Sequence, residues 1–112
     1  MERQEYLRLA DACLEQFADW LEDFDPDEVD FSASDGVLTL EFPDRVRYII
    51  NRQAGASQMW FAAGDRAWHY GWSAEQGQWL DDRDGHELGQ RVAERLGEKL
   101  GREVAPCPPA TS

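Results

Sequence analysis

Arg45-Val46-Arg47-Tyr48-Ile49-Ile50-Asn51-Arg52 and Gln58-Met59-Trp60-Phe61-Ala62-Ala63 are separated only by Gln53 and the small residues Ala54-Gly55-Ala56-Ser57. Both runs alternate with period two, which predicts a pair of strands. The link is too short for a parallel crossover, so the strands are expected to be antiparallel neighbours. Alternation also assigns faces. Val46, Tyr48 and Ile50 with Met59, Phe61 and Ala63 form a core set, and Arg47, Asn51, Gln58, Trp60 and Ala62 point the other way.

The same period extends outward in both directions. Val29–Ala33 and Val37–Phe42 flank the turn Ser34-Asp35-Gly36, a hairpin signal. Ala67–Trp72 follows Gly64-Asp65, and Trp79-Leu80-Asp81 follows the loop 73–78. On the fifth strand Trp68, Tyr70 and Trp72 are expected inward and His69 outward. The predicted sheet is a meander of five to six strands.

Helical period brackets it. Over residues 4–24, Tyr6, Leu9, Ala10, Cys13, Leu14, Phe17, Trp20, Leu21 and Phe24 recur at three- and four-residue spacing, with Pro26 expected to stop the helix. A second helix is expected to start at Asp84 in a capping box with Glu87 and to run to Gly101. Leu88, Val92, Leu96 and Leu100 form its stripe, Arg91, Glu94, Arg95 and Glu98 look outward, and Gly89 and Gly97 weaken it. Two amphipathic helices and an antiparallel sheet make an α+β, two-layer sandwich with both helices on one sheet face. Residues 1–104 are expected to form this single domain, and 105–112 a flexible C-terminal tail.

The open sheet face then gathers Asn51, Gln53, Gln58, Trp60 and His69. An indole among amide side chains suits a protein-binding hot spot, although cross-strand packing explains Trp60 equally well. His69 reads as a surface histidine, and His86 receives no role.

Charge supplies the second signal. Twelve acidic groups fall in the first 35 residues against only Arg3 and Arg8, so this third of the chain carries most of the net charge of −12. Asp19, Glu22, Asp23, Asp25, Asp27, Glu28 and Asp30 follow one another with no intervening cation. Their mutual repulsion opposes folding. Such a cluster suits hard cations or a basic protein surface, and solubility alone would not gather it at one edge.

Other classes are set aside. Clustered Lys and Arg for nucleic acid are missing, no apolar run approaches a membrane span, and no signal-peptide pattern opens the chain, so cytoplasmic residence is expected. Asp23, Asp25 and Asp27 match the start of a calcium loop. Glu28 then stands where glycine is needed, and Ser34 where the closing glutamate belongs. Two cysteines and two histidines offer no zinc spacing, and no phosphate loop or catalytic triad is visible.

Ile49-Ile50-Asn51-Arg52-Gln53 followed by Gln58-Met59-Trp60-Phe61-Ala62 resembles the frataxin family, most closely its bacterial CyaY-type members. Arg8-Leu9-Ala10-Asp11, Leu21-Glu22-Asp23-Phe24-Asp25, Gly36-Val37-Leu38-Thr39-Leu40 and Asp82-Arg83-Asp84-Gly85 are similar too, in order, over roughly residues 4–100. The resemblance implies the same sandwich. It also implies ferrous or ferric iron held weakly and reversibly, and a role in iron–sulfur cluster assembly through a cysteine desulfurase and a scaffold protein. By position it puts iron on Glu15, Asp19, Glu22, Asp23, Asp25, Asp27 and Asp30, and partners on Asn51, Gln53, Gln58 and Trp60. Ala18 stands where bacterial relatives are commonly acidic. The expected protein is a non-enzymatic monomer in the absence of iron; a ferroxidase and an iron-free acidic decoy of a basic protein are the alternatives.

Overall fold

The structure, a computed structural model, describes residues 1–108. Helix α1 spans Arg3–Leu21, strands β1 to β6 span Asp30–Ser34, Val37–Glu41, Arg47–Gln53, Gln58–Ala63, Arg66–Ser73 and Gln78–Asp81, and helix α2 spans Leu88–Leu100. The strands form one antiparallel sheet in sequence order, β1 to β6. The expected α+β two-layer sandwich is therefore what the chain forms, with six strands.

Register follows the alternation. Ile50 lies opposite both Leu38 and Phe61, and Met59 opposite Tyr70. These residues are buried with Leu40, Tyr48 and Ala63. The helices cover them with Tyr6, Ala10, Phe17 and Leu21 from α1 and with Leu88, Val92, Ala93 and Leu96 from α2. Each large apolar side chain so buried contributes roughly 1.5–3 kcal/mol. Tyr6 also donates its hydroxyl to the Gln58 carbonyl at 2.8 Å, pinning the start of α1 to the start of β4.

The helix ends differ from the sequence expectation. Helix α1 stops at Leu21, well before Pro26. Its last turn carries no cation, and the acids that follow oppose the negative end of the helix dipole. Two tight turns instead run through Asp23 N–H to Trp20 O and Phe24 N–H to Leu21 O. Phe24 packs edge-on against Trp20 with ring centres 4.9 Å apart. At the other end, Glu2 caps α1 by accepting the N–H groups of Gln4 and Glu5.

Helix α2 is likewise capped by a glutamate, Glu87, which accepts the Gly89 and Gln90 N–H groups at 2.7 and 3.0 Å. The expected Asp84 cap is corrected. Gly85, at φ +73°, turns the chain between the two residues, and Glu87 bridges back to Leu80, so helical geometry begins only at Leu88. Asp84 holds the turn through the His86 N–H and grips the Arg91 guanidinium at 2.8 Å. Arg91 is not an outward residue: its side chain is 12% exposed, 3.6 Å from the buried Asp81.

Gly89 and Gly97 do more than weaken α2. A Cβ on Gly97 would stand 2.8 Å from the Arg102 carbonyl oxygen, and one on Gly89 3.6 Å from that of Cys107. The chain after Gly101 therefore doubles back along α2 with Gly97 as clearance, while a Cβ on Gly89 would meet the strap in ordinary contact and crowd the Glu87 carboxylate at 3.1 Å. Val104 and Cys107 of this strap pack against the core, and the Cys107 thiol donates weakly to the Gln16 carbonyl of α1 at 3.7 Å. Of the tail expected over 105–112, residues 105–108 thus lie against the helices, and 109–112 fall outside the described residues. Burial raises the pKa of both thiols, with Glu87 and Asp19 adding to the effect at Cys107, which is pushed up to about 12.

Two measurements check these packing arguments. Gly97→Ala should lower stability by about 1–2 kcal/mol in urea denaturation, because the strap carbonyl has to move. A gain of about 1 kcal/mol, which helix propensity alone would give, contradicts it. The second concerns Asp84, whose carboxyl is held below the usual carboxylate range by the His86 N–H and the Arg91 guanidinium. A depressed folded pKa stabilises fully above about pH 4, and that stability is lost as pH falls through the folded value. Asp84→Asn should therefore lower the denaturation midpoint at pH 7, with the gap to the parent closing in acid. A gap independent of pH would contradict this origin.

Candidate functional site

The seven acidic residues that the resemblance assigns to iron, Glu15, Asp19, Glu22, Asp23, Asp25, Asp27 and Asp30, are all exposed, whereas Glu28 of the same run is half-buried. Helix geometry presents Glu15 and Asp19 on the outer face of α1, and Glu22, the C-cap residue still in helical conformation, continues their four- and three-residue spacing. Asp23, Asp25 and Asp27 stand on the turns after it. Asp25 shapes the loop, accepting the Asp27 N–H on its side chain at 2.9 Å and the Glu28 and Val29 N–H groups on its carbonyl.

Asp30 departs from the group. It opens the edge strand β1 opposite Glu41 and accepts the Phe31 N–H at 2.9 Å. Strand alternation puts it with Ser32 and Ser34 on the helix-free side, and it lines a shallow cleft with Thr39, Glu41 and Arg47. The anionic edge therefore turns the corner from the α1 face towards the open sheet face.

Among the described residues, none of the seven lies within 4.0 Å of a lysine, arginine or histidine nitrogen. Their acidic neighbours are paired. Arg52 extends from β3 under Gly36 to Asp11 on α1 and to Asp35 in the hairpin turn. Arg102 grips Glu28 at 3.0 Å and lies over the Phe24 ring. The cations nearest the edge are thus occupied elsewhere, and the edge keeps its charge.

The carboxylates are spread out: among the described residues, no three His, Cys, Asp or Glu side chains converge into a group able to hold a metal ion. Carboxylate oxygens are hard donors. A cation at this edge would be held by one or two of them with water completing its shell, and exchange would be easy.

Around the corner is the second surface. Val37, Asn51, Trp60 and His69 form one cross-strand row on the helix-free face. Gln53 lies opposite Gln58 in the next. The Trp60 indole stacks on the His69 ring with centres 4.2 Å apart and planes 18° from parallel. Its N–H donates to Gln58 Oε1 at 2.9 Å, while Gln58 Nε2 donates to Asp82 Oδ2 at 3.3 Å. Trp60 is half-buried, so its indole is oriented by these contacts before any partner arrives. Val37 adds an exposed apolar side chain to the row. All four expected partner-face residues, Asn51, Gln53, Gln58 and Trp60, are brought together here. The His69 stack was not foreseen, although its outward register placed it beside Trp60.

Neutralising the edge isolates its self-repulsion. The triple change Glu22→Gln, Asp23→Asn and Asp25→Asn should raise the melting temperature in low salt, with the gain shrinking as ionic strength rises. An unchanged or lower melting temperature in low salt contradicts this.

Comparison with known proteins bears on both surfaces. A family model described as a frataxin-like domain matches residues 1–102. The chain is 41% identical over 80 residues to the iron-sulfur cluster assembly protein CyaY of Thioalkalivibrio sulfidiphilus, covering 70% of this chain and 75% of the relative. It is 36% identical over 88 residues to that of Psychromonas ingrahamii, covering 79% and 81%. The solved frataxin of Psychromonas ingrahamii superposes with a TM-score of 0.82 at 30% identity, over 93% of this chain and 96% of that one. A trimeric frataxin from Saccharomyces cerevisiae, complexed with ferrous iron, gives 0.73 at 29% identity, over 84% and 87%.

Proposed function

The chain belongs to the frataxin family, and from that premise we propose that it serves iron–sulfur cluster assembly by binding iron on its acidic edge and docking the same edge on a cysteine desulfurase. The observation that carries the reading is that seven exposed carboxylates along this edge have no cation within reach among the described residues, Glu28 alone of the run being paired. An edge that retains its repulsion in the folded state gains whenever a cation or a basic surface arrives. The relatives named for iron–sulfur cluster assembly and the yeast relative complexed with ferrous iron support iron as that cation.

Glu15, Asp19, Glu22, Asp23, Asp25 and Asp27 supply the oxygen ligands in this account, and Asp30 extends the edge towards the sheet. Few carboxylates reach any one ion, so iron is held weakly and leaves readily, which suits sensing or delivery. Hard oxygen donors also select poorly, and manganese, cobalt or calcium compete. Asn51, Gln53, Gln58 and Trp60 form the second contact, with the scaffold protein or the desulfurase. A fixed indole flanked by amides loses little freedom on binding. The protein acts as carrier or regulator, not as catalyst, and is a monomer without iron.

Ferrous iron titrated without oxygen, with backbone amide signals followed, tests the reading. The first signals to broaden should be those of residues 19–30, reversibly on adding a chelator. First changes at the Trp60 face or on α2 would overturn the assignment. Oxygen uptake on adding ferrous iron should match a buffer blank, and excess uptake would favour a ferroxidase instead.

A further inference from the structure

Two cysteines from opposite ends of the chain line one groove. Cys13 lies on α1, and Cys107 on the strap that follows α2. The groove, about 280 Å³ in volume, is shared with Phe17, Trp72 and Trp79. The strap is held between the helices: the Cys107 carbonyl stands 3.6 Å from the place of a Cβ on Gly89 of α2, and its thiol 3.7 Å from the Gln16 carbonyl of α1. Gln16 is three residues beyond Cys13, about 4.5 Å of helix rise. A disulfide requires Cα atoms about 4.4–6.8 Å apart. The strap has no regular secondary structure, so moving Cys107 towards Cys13 breaks no ladder and gives up the weak thiol contact to Gln16.

We propose that Cys13 and Cys107 form a reversible intramolecular disulfide that locks the C-terminal strap into the groove between the two helices. The oxidant is a low-molecular-weight disulfide. Burial keeps both thiols protonated while the strap is packed, so the exchange begins with the strap raised from the groove. There the Cys107 sulfur, losing its proton to solvent, attacks one sulfur of oxidised glutathione, breaking that S–S bond and releasing one glutathione thiolate, which takes up a proton. The Cys13 sulfur, losing its own proton, then attacks Cys107 in the mixed disulfide, forming the Cys13–Cys107 bond and releasing the second glutathione. Two protein thiols are oxidised and one glutathione disulfide is reduced to two thiols.

The closed loop would run from residue 13 to residue 107, nearly the whole domain. A crosslink of that span restricts the unfolded chain strongly. The locked form is therefore the more stable one. None of the seven edge carboxylates lines the groove, so this inference and the iron reading stand separately.

The test incubates the full chain with oxidised glutathione and reads intact mass, tryptic peptides and urea midpoint. The expected product is a monomer lighter by two hydrogens, with peptide 9–45 joined to peptide 103–112 and an upward midpoint shift reversed by dithiothreitol. Cys13→Ala and Cys107→Ala should each abolish the crosslink and the shift. Cys107→Ala changes the strap alone, so it keeps the comparison informative if Cys13→Ala folds poorly. A stable glutathione adduct on the parent protein, a disulfide-linked dimer, two unreacted thiols, or a crosslink without a midpoint rise would each overturn the proposal.

Discussion

Both helices have to bury their apolar stripes on the same face of one sheet, and the rest of the molecule follows from that. Tyr6, Ala10, Phe17 and Leu21 on one helix and Leu88, Val92 and Leu96 on the other cover Leu38, Ile50, Met59 and Phe61. With one face used, the other is left bare, and the row containing Asn51, Trp60 and His69 stands in water. With the apolar side of α1 turned down, Glu15, Asp19 and Glu22 are turned up. The two surfaces proposed for function are the remainders of a packing solution.

Charge pairing then decides which remainder stays reactive. The cations from β3 onward mostly stabilise the scaffold: Arg52 ties α1 to the first hairpin, Lys99 pairs with Asp44, Arg91 with Asp81 and Asp84, and Arg102 with Glu28. Apart from the local Arg91 pairs, each closes a gap between elements distant in sequence. None reaches the run from Asp19 to Asp27. Exposed pairs contribute little each, but their placement leaves one edge with its repulsion intact. A folded core able to carry that penalty is what makes a cation-hungry surface possible.

The strands were legible because alternation is set by the pleat, and Tyr48, Ile50, Met59 and Phe61 announce their face without help from tertiary structure. The acidic edge was legible as composition. Less local features were not. Helix α1 ends before Pro26 because the acids after Leu21 oppose its dipole and Phe24 folds back on Trp20. There Arg102 covers the Phe24 ring from the far end of the chain, a contact that no window around Pro26 shows. The start of α2 depends on Gly85 at positive φ, which separates Asp84 from the helix it was expected to cap. Gly97 looks like a helix defect until the strap is placed against it. Asp30 belongs to the acidic run in sequence, yet strand parity turns it to the other face. A warning was available there, because a residue that opens a strand obeys period two.

The central claim is that iron and the desulfurase use one surface. Desulfurase affinity measured with and without ferrous iron, at fixed ionic strength and without oxygen, tests it most directly. The account predicts that iron weakens the complex, and that saturating desulfurase weakens iron binding by the same factor, as linkage requires. Equal affinity in the presence and absence of iron would contradict it.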